Sequence, residues 1–129
     1  MTIPRTNASP FAAVVAELPL EPLPLAVETI LAGEPETSIA VLDTSSDGRV
    51  ERGVWQITPG TVTDVEADEL FVVICGRATI EVAGGPTLDV GPGSVGVLRA
   101  GDRTTWRVHE TLRKVYQVTS APADAPARG

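Results

Sequence analysis

The chain is poor in the side chains that hold transition metals or form covalent cross-links. Its 129 residues include one cysteine, Cys75, and one histidine, His109. A single cysteine excludes an internal disulfide framework and fits a reducing compartment, so we expect a cytoplasmic protein. A lone histidine excludes a cluster of imidazole ligands within one chain.

Basic residues and long apolar runs are also scarce. Ten Lys and Arg stand against 17 Asp and Glu, a formal net charge of −7, which disfavours nucleic acid and anionic membranes as partners. No apolar stretch approaches the roughly 20 residues of a membrane-spanning helix. The N-terminal apolar run lacks the basic region of a signal peptide. With 43% hydrophobic residues the chain can still bury one core, so we expect a single soluble domain.

The N-terminal segment combines a helix signal with a proline-rich stretch. Ser9 and Pro10 are typical of a helix start, which predicts a short helix over Phe11 to Glu17. Three prolines between Leu18 and Leu25 predict an extended arm laid over apolar surface. The first eight residues are either part of this arm or a floppy leader, and the composition of the last residues predicts a disordered tail. The expected divisions are an arm at 1–32, a barrel at 33–119 and a tail at 120–129.

Short strand patterns with tight turns fill the middle of the chain. Ser45-Ser46-Asp47-Gly48 is a hairpin signal, because Asp and Gly tolerate the positive φ that the turn needs. Glu66-Ala67-Asp68 is interpreted as a connection. Strands this closely spaced, with no helical period between them, predict an antiparallel all-β sandwich or barrel. The predicted strands are Ser38 to Thr44, Val50 to Thr58, Thr61 to Val65, Glu69 to Cys75, Ala78 to Ala83, Thr87 to Val90, Ser94 to Leu98, Thr104 to His109 and Leu112 to Thr119.

A series of short motifs occurs in order along the chain: Gly53-Val54-Trp55, Pro59-Gly60, Asp68-Glu69, Gly76-Arg77, Gly91-Pro92-Gly93, Ala100-Gly101, Trp106-Arg107-Val108 and Arg113-Lys114-Val115-Tyr116. This series resembles the cupin superfamily, and the chain is similar to the small-cupin branch related to (S)-ureidoglycine aminohydrolase and the ethanolamine-utilisation cupins. The resemblance implies a single-domain jelly-roll β-barrel and makes a homodimer the favoured assembly.

Cupins hold a metal with a glutamate and three histidines, and the resemblance puts Glu69 in the place of that glutamate. The matched histidine positions fall on Thr104 and, depending on the spacing used, on Val62 and Asp64 or on Thr63 and Val65. Because no imidazole occupies these positions, we expect no metal cofactor. The alternative is Mn²⁺ or another divalent metal held through Glu69, with Asp64 or an inward-turned Cys75 as a second ligand. Cys75 is otherwise interpreted as a half-buried thiol.

Without a metal, an inward-pointing Glu69 needs another partner, because an unpaired buried carboxylate costs several kcal/mol. Lys114 on the last strand is the best candidate. The catalytic interpretation makes Glu69 a general base, Lys114 an electrostatic stabiliser and Tyr116 a proton donor. The alternative is a structural ion pair. A structure with the Lys114 side chain in solvent would contradict the pairing of Glu69 with Lys114.

Strand alternation supplies candidate ligand contacts. Phe71 shares the face of Glu69, and Trp106 shares that of Thr104. We expect these residues and Trp55 to line a substrate pocket, with core packing as the alternative for the tryptophans.

Two functions are consistent with these residues. One is metal-free binding of a small polar metabolite in the barrel. The other is an enzyme of the ureidoglycine aminohydrolase-like type, acting on a small nitrogenous or carboxylate metabolite.

Overall fold

A computed structural model describes residues 9–121 and is almost entirely β-structure. Within these residues the chain forms nine strands and two single-turn 3₁₀ helices, Val15–Glu17 and Val27–Thr29, which confirms the all-β prediction. The strands are β1 (Glu21–Pro22), β2 (Ile30–Ala32), β3 (Thr37–Thr44), β4 (Val50–Ile57), β5 (Gly60–Val65), β6 (Asp68–Val82), β7 (Thr87–Val90), β8 (Val95–Leu98) and β9 (Arg103–Thr119).

The two longest strands organise a curled antiparallel sheet of jelly-roll type. β9 pairs with β5 through its first part, with β4 through its second part, and with β6 along most of its length. β6 pairs with β8 near its start and with β7 near its end. β3 extends the sheet beyond β4. The inner faces of β3, β4, β5, β6 and β9 therefore surround one interior.

Long β6 and β9 correct the sequence interpretation, which divided each of them into two strands. Gly76 does not end a strand but lies in a bulged region, where the register between β6 and β9 shifts between Val73 and Ala78. Its φ of 87° is one that side chains other than glycine rarely adopt. A bulge lets one continuous strand bend sharply from one part of a sheet to another, so no chain break is needed.

Strand alternation determines which side chains form the core. Phe71, Val73 and Ile80 of β6 are fully buried, as are Ile57 of β4 and Leu112 of β9. They belong to one cluster on the inner face of the sheet. Leu70 and Ile74 alternate with the buried residues of β6 and are exposed.

The N-terminal arm differs from its prediction at the helix. The expected helix over Phe11 to Glu17 is wrong: only Val15–Glu17 forms a 3₁₀ turn, and no side chain caps it. The physical reason is competition from the barrel, because Nη1 of Arg113 donates to the carbonyl oxygens of Val15 and Leu18 at 2.7 and 3.3 Å. The Val15 oxygen also accepts the N–H of Leu18 in the 3₁₀ turn, so this end of the arm is a single turn that Arg113 joins to the sheet.

Beyond the turn the arm is extended and joins the sheet, with β1 pairing with β3 and β2 pairing with β5. The hairpin predicted at Ser45 to Gly48 is present, with a φ of 74° at Gly48. Residues 1–8 and 122–129, which hold the predicted leader and most of the predicted tail, lie outside the described residues. No helix among the described residues is both long and apolar enough to span a membrane.

Replacing Gly76 with Ala is expected to destabilise the fold strongly. A Cβ atom there would lie 2.1 Å from the carbonyl oxygen of Thr111 and 2.4 Å from Cα of Leu112, and backbone atoms cannot rotate away. Gly84 is the matched control, with a positive φ of 73° and nothing within 4 Å of its added Cβ. We expect Gly84→Ala to lower the free energy of unfolding by about 1–2 kcal/mol and Gly76→Ala by about 3 kcal/mol or more. Urea denaturation measures both, and equal losses would contradict the contact argument.

Candidate functional site

A cavity of about 370 Å³ occupies the interior of the curled sheet. Inner-face residues of β3, β4, β5, β6 and β9 form its walls, and Leu23 to Ala26 of the arm close one side together with Thr29. The polar wall carries four carboxylates and one ammonium group. Apolar and aromatic side chains form the rest, so the cavity combines an apolar body with a small set of charged groups.

Glu69 and Lys114 form an ion pair at this cavity. Nζ of Lys114 donates to Oε2 of Glu69 at 2.7 Å, and the two side chains are 7% and 9% exposed for Lys114 and Glu69, respectively. β6 and β9 carry the two residues on adjoining strands with both side chains inward. Lys114 is thus not in solvent, and the pairing expected from the sequence is present. Burial of both partners means that each depends on the other for its charge compensation.

Three aromatic rings surround the Lys114 ammonium group. Nζ lies 4.6 Å from the ring centroid of Trp55 and 4.8 Å from those of Phe71 and Trp106. A cation within about 6 Å of an aromatic face is attracted by the electron density of the ring. Trp55 packs edge-on against Trp106 with centroids 5.8 Å apart. The rings therefore hold the ammonium group in place while Glu69 neutralises it.

Tyr116 also lies in the cavity wall, but it is bonded to Glu51 rather than to Glu69. Its Oη donates to Oε2 of Glu51 at 2.6 Å. The adjacent position on β4 is Gly53, where an added Cβ would lie 2.6 Å from the same hydroxyl oxygen, so glycine makes room for the ring. Burial raises the pKa of Tyr116 above its usual range, and the hydrogen bond and charge of Glu51 act in the same direction. Tyr116 therefore keeps its proton and acts as a donor.

The four predicted ligand contacts divide into two groups. Trp55 and Trp106 line the cavity. Phe71 is fully buried below the ammonium group and does not line it. Thr104 is 3% exposed and does not line it either, because its hydroxyl group is turned to a carboxylate. Phe71 packs against the Lys114 ammonium group and Thr104 bonds to Glu66, so each contacts a side chain that lines the cavity.

Sequence reasoning missed Glu66, which it assigned to a connecting segment. Oε2 of Glu66 accepts hydrogen bonds from Oγ1 of Thr104 at 2.6 Å and from Nε1 of Trp106 at 3.2 Å. The residue is 7% exposed and lines the cavity. Its backbone is held as well, because its N–H donates to the carbonyl oxygen of Asp102 and its own carbonyl accepts from Gly101. Strand alternation does not extend into a connection, so no periodic signal marked it.

Asp64 lies at the cavity rim, opposite Thr104 in the pairing of β5 with β9. Its neighbour Val62 is opposite Trp106 and is buried. Of the two alternatives for the matched histidine positions, Val62 and Asp64 are therefore the pair on the inner face. Partial burial at the rim raises the pKa of Asp64 to about 6, and the negative charge of Glu66 adds to this effect.

These residues do not fit the metal site that the cupin resemblance implies. The inward positions carry Val62, Asp64 and Thr104, and the nitrogen nearest Glu69 is the ammonium group of Lys114, a donor that has no lone pair for a metal. Cys75, proposed as half-buried or inward, is exposed instead. Among residues 9–121, no group of three or more His, Cys, Asp or Glu side chains is arranged to hold a metal ion.

His109 lies outside the cavity wall. It is exposed on the outer side of β9, as strand alternation predicted, with its Nε2 atom 2.9 Å from Oγ1 of Thr79. Trp106 and Val108, which alternate with it, are buried.

Removing the ammonium group of Lys114 is expected to lower the free energy of unfolding, because the buried carboxylate of Glu69 then has no partner. Lys114→Met keeps the side-chain length but leaves Glu69 without its partner, and breaking a buried pair typically costs about 3–5 kcal/mol. The double variant Lys114→Met with Glu69→Gln removes both charges and is expected to recover much of that loss. Urea denaturation of the two single variants and the double variant gives the coupling energy. A double variant no more stable than Lys114→Met would contradict a stabilising pair.

The chain is similar in sequence to a known domain family. The family model of the EutQ-like cupin domain matches residues 44–116, a segment that contains β4, β5, β6 and β9 as far as Tyr116, but only the last residue of β3. A comparison with curated protein sequences gives no match.

Several solved structures share the fold. A protein of unknown function of the DUF861 family from Pseudomonas syringae pv. tomato superposes with a TM-score of 0.72 at 24% identity, covering 80% of this chain and 45% of that one. The Clostridium difficile EutQ protein gives 0.58 at 21% identity, covering 70% and 66%. A putative ethanolamine utilization protein Q from Salmonella typhimurium gives 0.57 at 21% identity, covering 69% and 72%. The chain spans less than half the length of the Pseudomonas protein, and at these identities the likenesses show the fold.

Proposed function

The chain belongs to the EutQ-like cupin domain family, and we propose that it binds a small polar metabolite inside the barrel without a histidine metal site. The observation that carries this proposal is the cavity of about 370 Å³, where a buried ion pair, two tryptophans and further carboxylates face one space. Ligand sites are commonly concave, mostly apolar and equipped with a few converging polar groups. The cavity has each of these properties.

Glu69, which the resemblance assigns to metal binding, is bonded instead to the ammonium group of Lys114, and the two charges compensate each other. Unlike a metal ion, an ammonium group offers hydrogen-bond donors but no open coordination position. Ligand binding in this barrel therefore depends on hydrogen bonds, charge and apolar contact. The arm also takes part, because Leu23 to Ala26 line the cavity opposite the pair.

Closing the cavity from the arm is expected to abolish ligand binding. The sequence has two tryptophans, and both line the cavity, so intrinsic fluorescence reports its occupancy. Ala26→Phe adds a ring at an exposed position of the cavity wall. Ala32→Phe is the matched control, exposed on the same arm but outside the wall. In a metabolite screen by fluorescence and thermal shift, hits should bind the wild type and Ala32→Phe and lose binding in Ala26→Phe. Hits that bind all three equally would contradict a site in the barrel.

The second candidate function is an enzyme of the ureidoglycine aminohydrolase-like type, acting on a small nitrogenous or carboxylate metabolite. It is favoured by the carboxylates of Glu66 and Glu69 and the Lys114 ammonium group, which face one cavity and supply candidates for base and charge stabilisation. Tyr116 retains its proton and remains the candidate donor. Following each hit by NMR over hours separates the two functions, because binding alone leaves the ligand spectrum unchanged and turnover produces new resonances.

A homodimer is our proposed assembly, and the apolar outer side of β6 and β8 supports it. Leu70 pairs with Val97, and Val72 with Val95. Leu70, Val95 and Val97 are all about half exposed or more. Within the described residues β8 pairs only with β6, so it is an edge strand, and exposed apolar edges are usually covered by a partner.

Charges placed on this surface are expected to produce a monomer. Leu70→Glu combined with Val97→Glu puts two like charges directly opposite each other, where a second copy would have to bury them. Val27→Glu, an exposed apolar position on the arm, is the control and should leave the assembly intact. Light scattering after size-exclusion chromatography measures the mass, and a wild type that elutes as a monomer would contradict the proposal.

A further inference from the structure

The charges that face the cavity do not balance. Glu51, Asp64, Glu66 and Glu69 line it, and among residues 9–121 Lys114 is the one basic side chain in its wall. The positive charge of Lys114 is already compensated, because its ammonium group is bonded to Glu69. Glu51 receives a neutral hydroxyl group from Tyr116. A ligand entering this space therefore meets an excess of negative charge.

Glu66 offers an unused acceptor inside this space. Both hydrogen bonds that it accepts, from Thr104 and Trp106, end on Oε2. Oε1 has no partner among residues 9–121, although the residue is 93% buried. No fully buried side-chain oxygen or nitrogen of the described residues lacks a partner, so Oε1 is not sealed off and opens to the cavity that Glu66 lines. The bonds from Thr104 and Trp106 hold the carboxylate in this orientation.

The rim carries the same sign of charge. The pKa of Asp64 is raised to about 6, first by partial burial and next by the negative charge of Glu66, while a hydrogen bond from the Val65 N–H and the charge of Lys114 oppose the shift. The contribution of Glu66 shows that negative charges lie close together at this side of the cavity, where a positive charge is favoured. An anionic ligand would have to displace solvent from these carboxylates with no free cation to receive it.

The remaining wall is suited to a short hydrocarbon chain. The apolar and aromatic side chains of this wall include Leu25, Ile39, Trp55, Val62 and Val118. A donor group bound at Glu66 would therefore place its attached carbon atoms against apolar side chains. The cavity volume limits the ligand to a small molecule.

We propose that the ligand is a small primary or secondary amine, bound as its ammonium ion to Oε1 of Glu66 with its apolar part against Val62 and Trp55. This inference rests on the proposed function and narrows it, since it excludes small carboxylates as the preferred ligand class. Charge and hydrogen bonding act together here: the ammonium N–H groups satisfy the open carboxylate oxygen, and their charge offsets the excess of negative charge.

Three probes of nearly equal shape test the charge preference: isopentylamine, isopentanol and isovalerate. Titration of tryptophan fluorescence at pH 7.5 is expected to give an affinity for the amine at least about tenfold higher than for the alcohol, roughly 1.4 kcal/mol, and no saturable binding of the acid. Alcohol or acid binding as tight as the amine would overturn the inference and leave the proposed function intact. Absence of binding by all three would also overturn it, while the Ala26→Phe comparison decides the proposed function separately.

Two variants test which carboxylates of the cavity bind the amine. Glu66→Gln keeps an acceptor for Thr104 and Trp106 but removes the charge, and we expect it to weaken amine binding about tenfold while leaving alcohol binding unchanged. Asp64→Asn at the rim should weaken amine binding in the same direction, which keeps the test open if Glu66→Gln fails to fold. Glu110→Gln, an exposed residue outside the cavity wall, is the control for net charge. Amine affinity unchanged in both cavity variants would overturn the inference.

Discussion

The interior of this barrel is organised around one buried ion pair, Glu69 with Lys114. Either charge alone at this depth costs a large share of the stability of a folded domain, because a buried ion without a partner loses its hydration and gains nothing in return. The pair joins β6 to β9, the two strands with which most of the sheet is paired. Trp55, Phe71 and Trp106 surround the ammonium group and restrict its position. The same constraint thus links the register of the sheet, the packing of the aromatic side chains and the charge of the cavity.

Because Lys114 takes up the charge of Glu69, the other carboxylates determine what the cavity attracts. Glu66 is held by two neutral donors and Asp64 stands at the rim. Neither is bonded to Lys114, so their negative charge faces the open space of the cavity. The bulge at Gly76 contributes indirectly: it bends β6 so that one strand supplies both Glu69 beside the cavity and Ile80 in the core.

The inward residues of the strands were predictable, and the reason is the two-residue period of a β-strand. Once Glu69 is placed inward, Phe71 follows on its strand, just as Lys114 and Tyr116 share one face of theirs. The fold followed from turn signals and strand spacing in the same way. The predicted helix in the arm was wrong because Arg113, nearly 100 residues further along the chain, binds the backbone carbonyl groups. Local sequence patterns carry no information about a hydrogen-bond donor so distant in sequence.

The amino-acid sequence by itself determined the all-β class, the absence of imidazole ligands at the cupin positions and the alternation that turns Glu69 and Lys114 inward. These properties depend on composition and on neighbouring residues along one strand. Only the tertiary structure decided that Glu66 lines the cavity and bonds to Thr104, that Phe71 packs against the Lys114 ammonium group, and that Tyr116 bonds to Glu51. Each of these depends on distances between segments remote in sequence, which the folding of the sheet sets and no local pattern encodes.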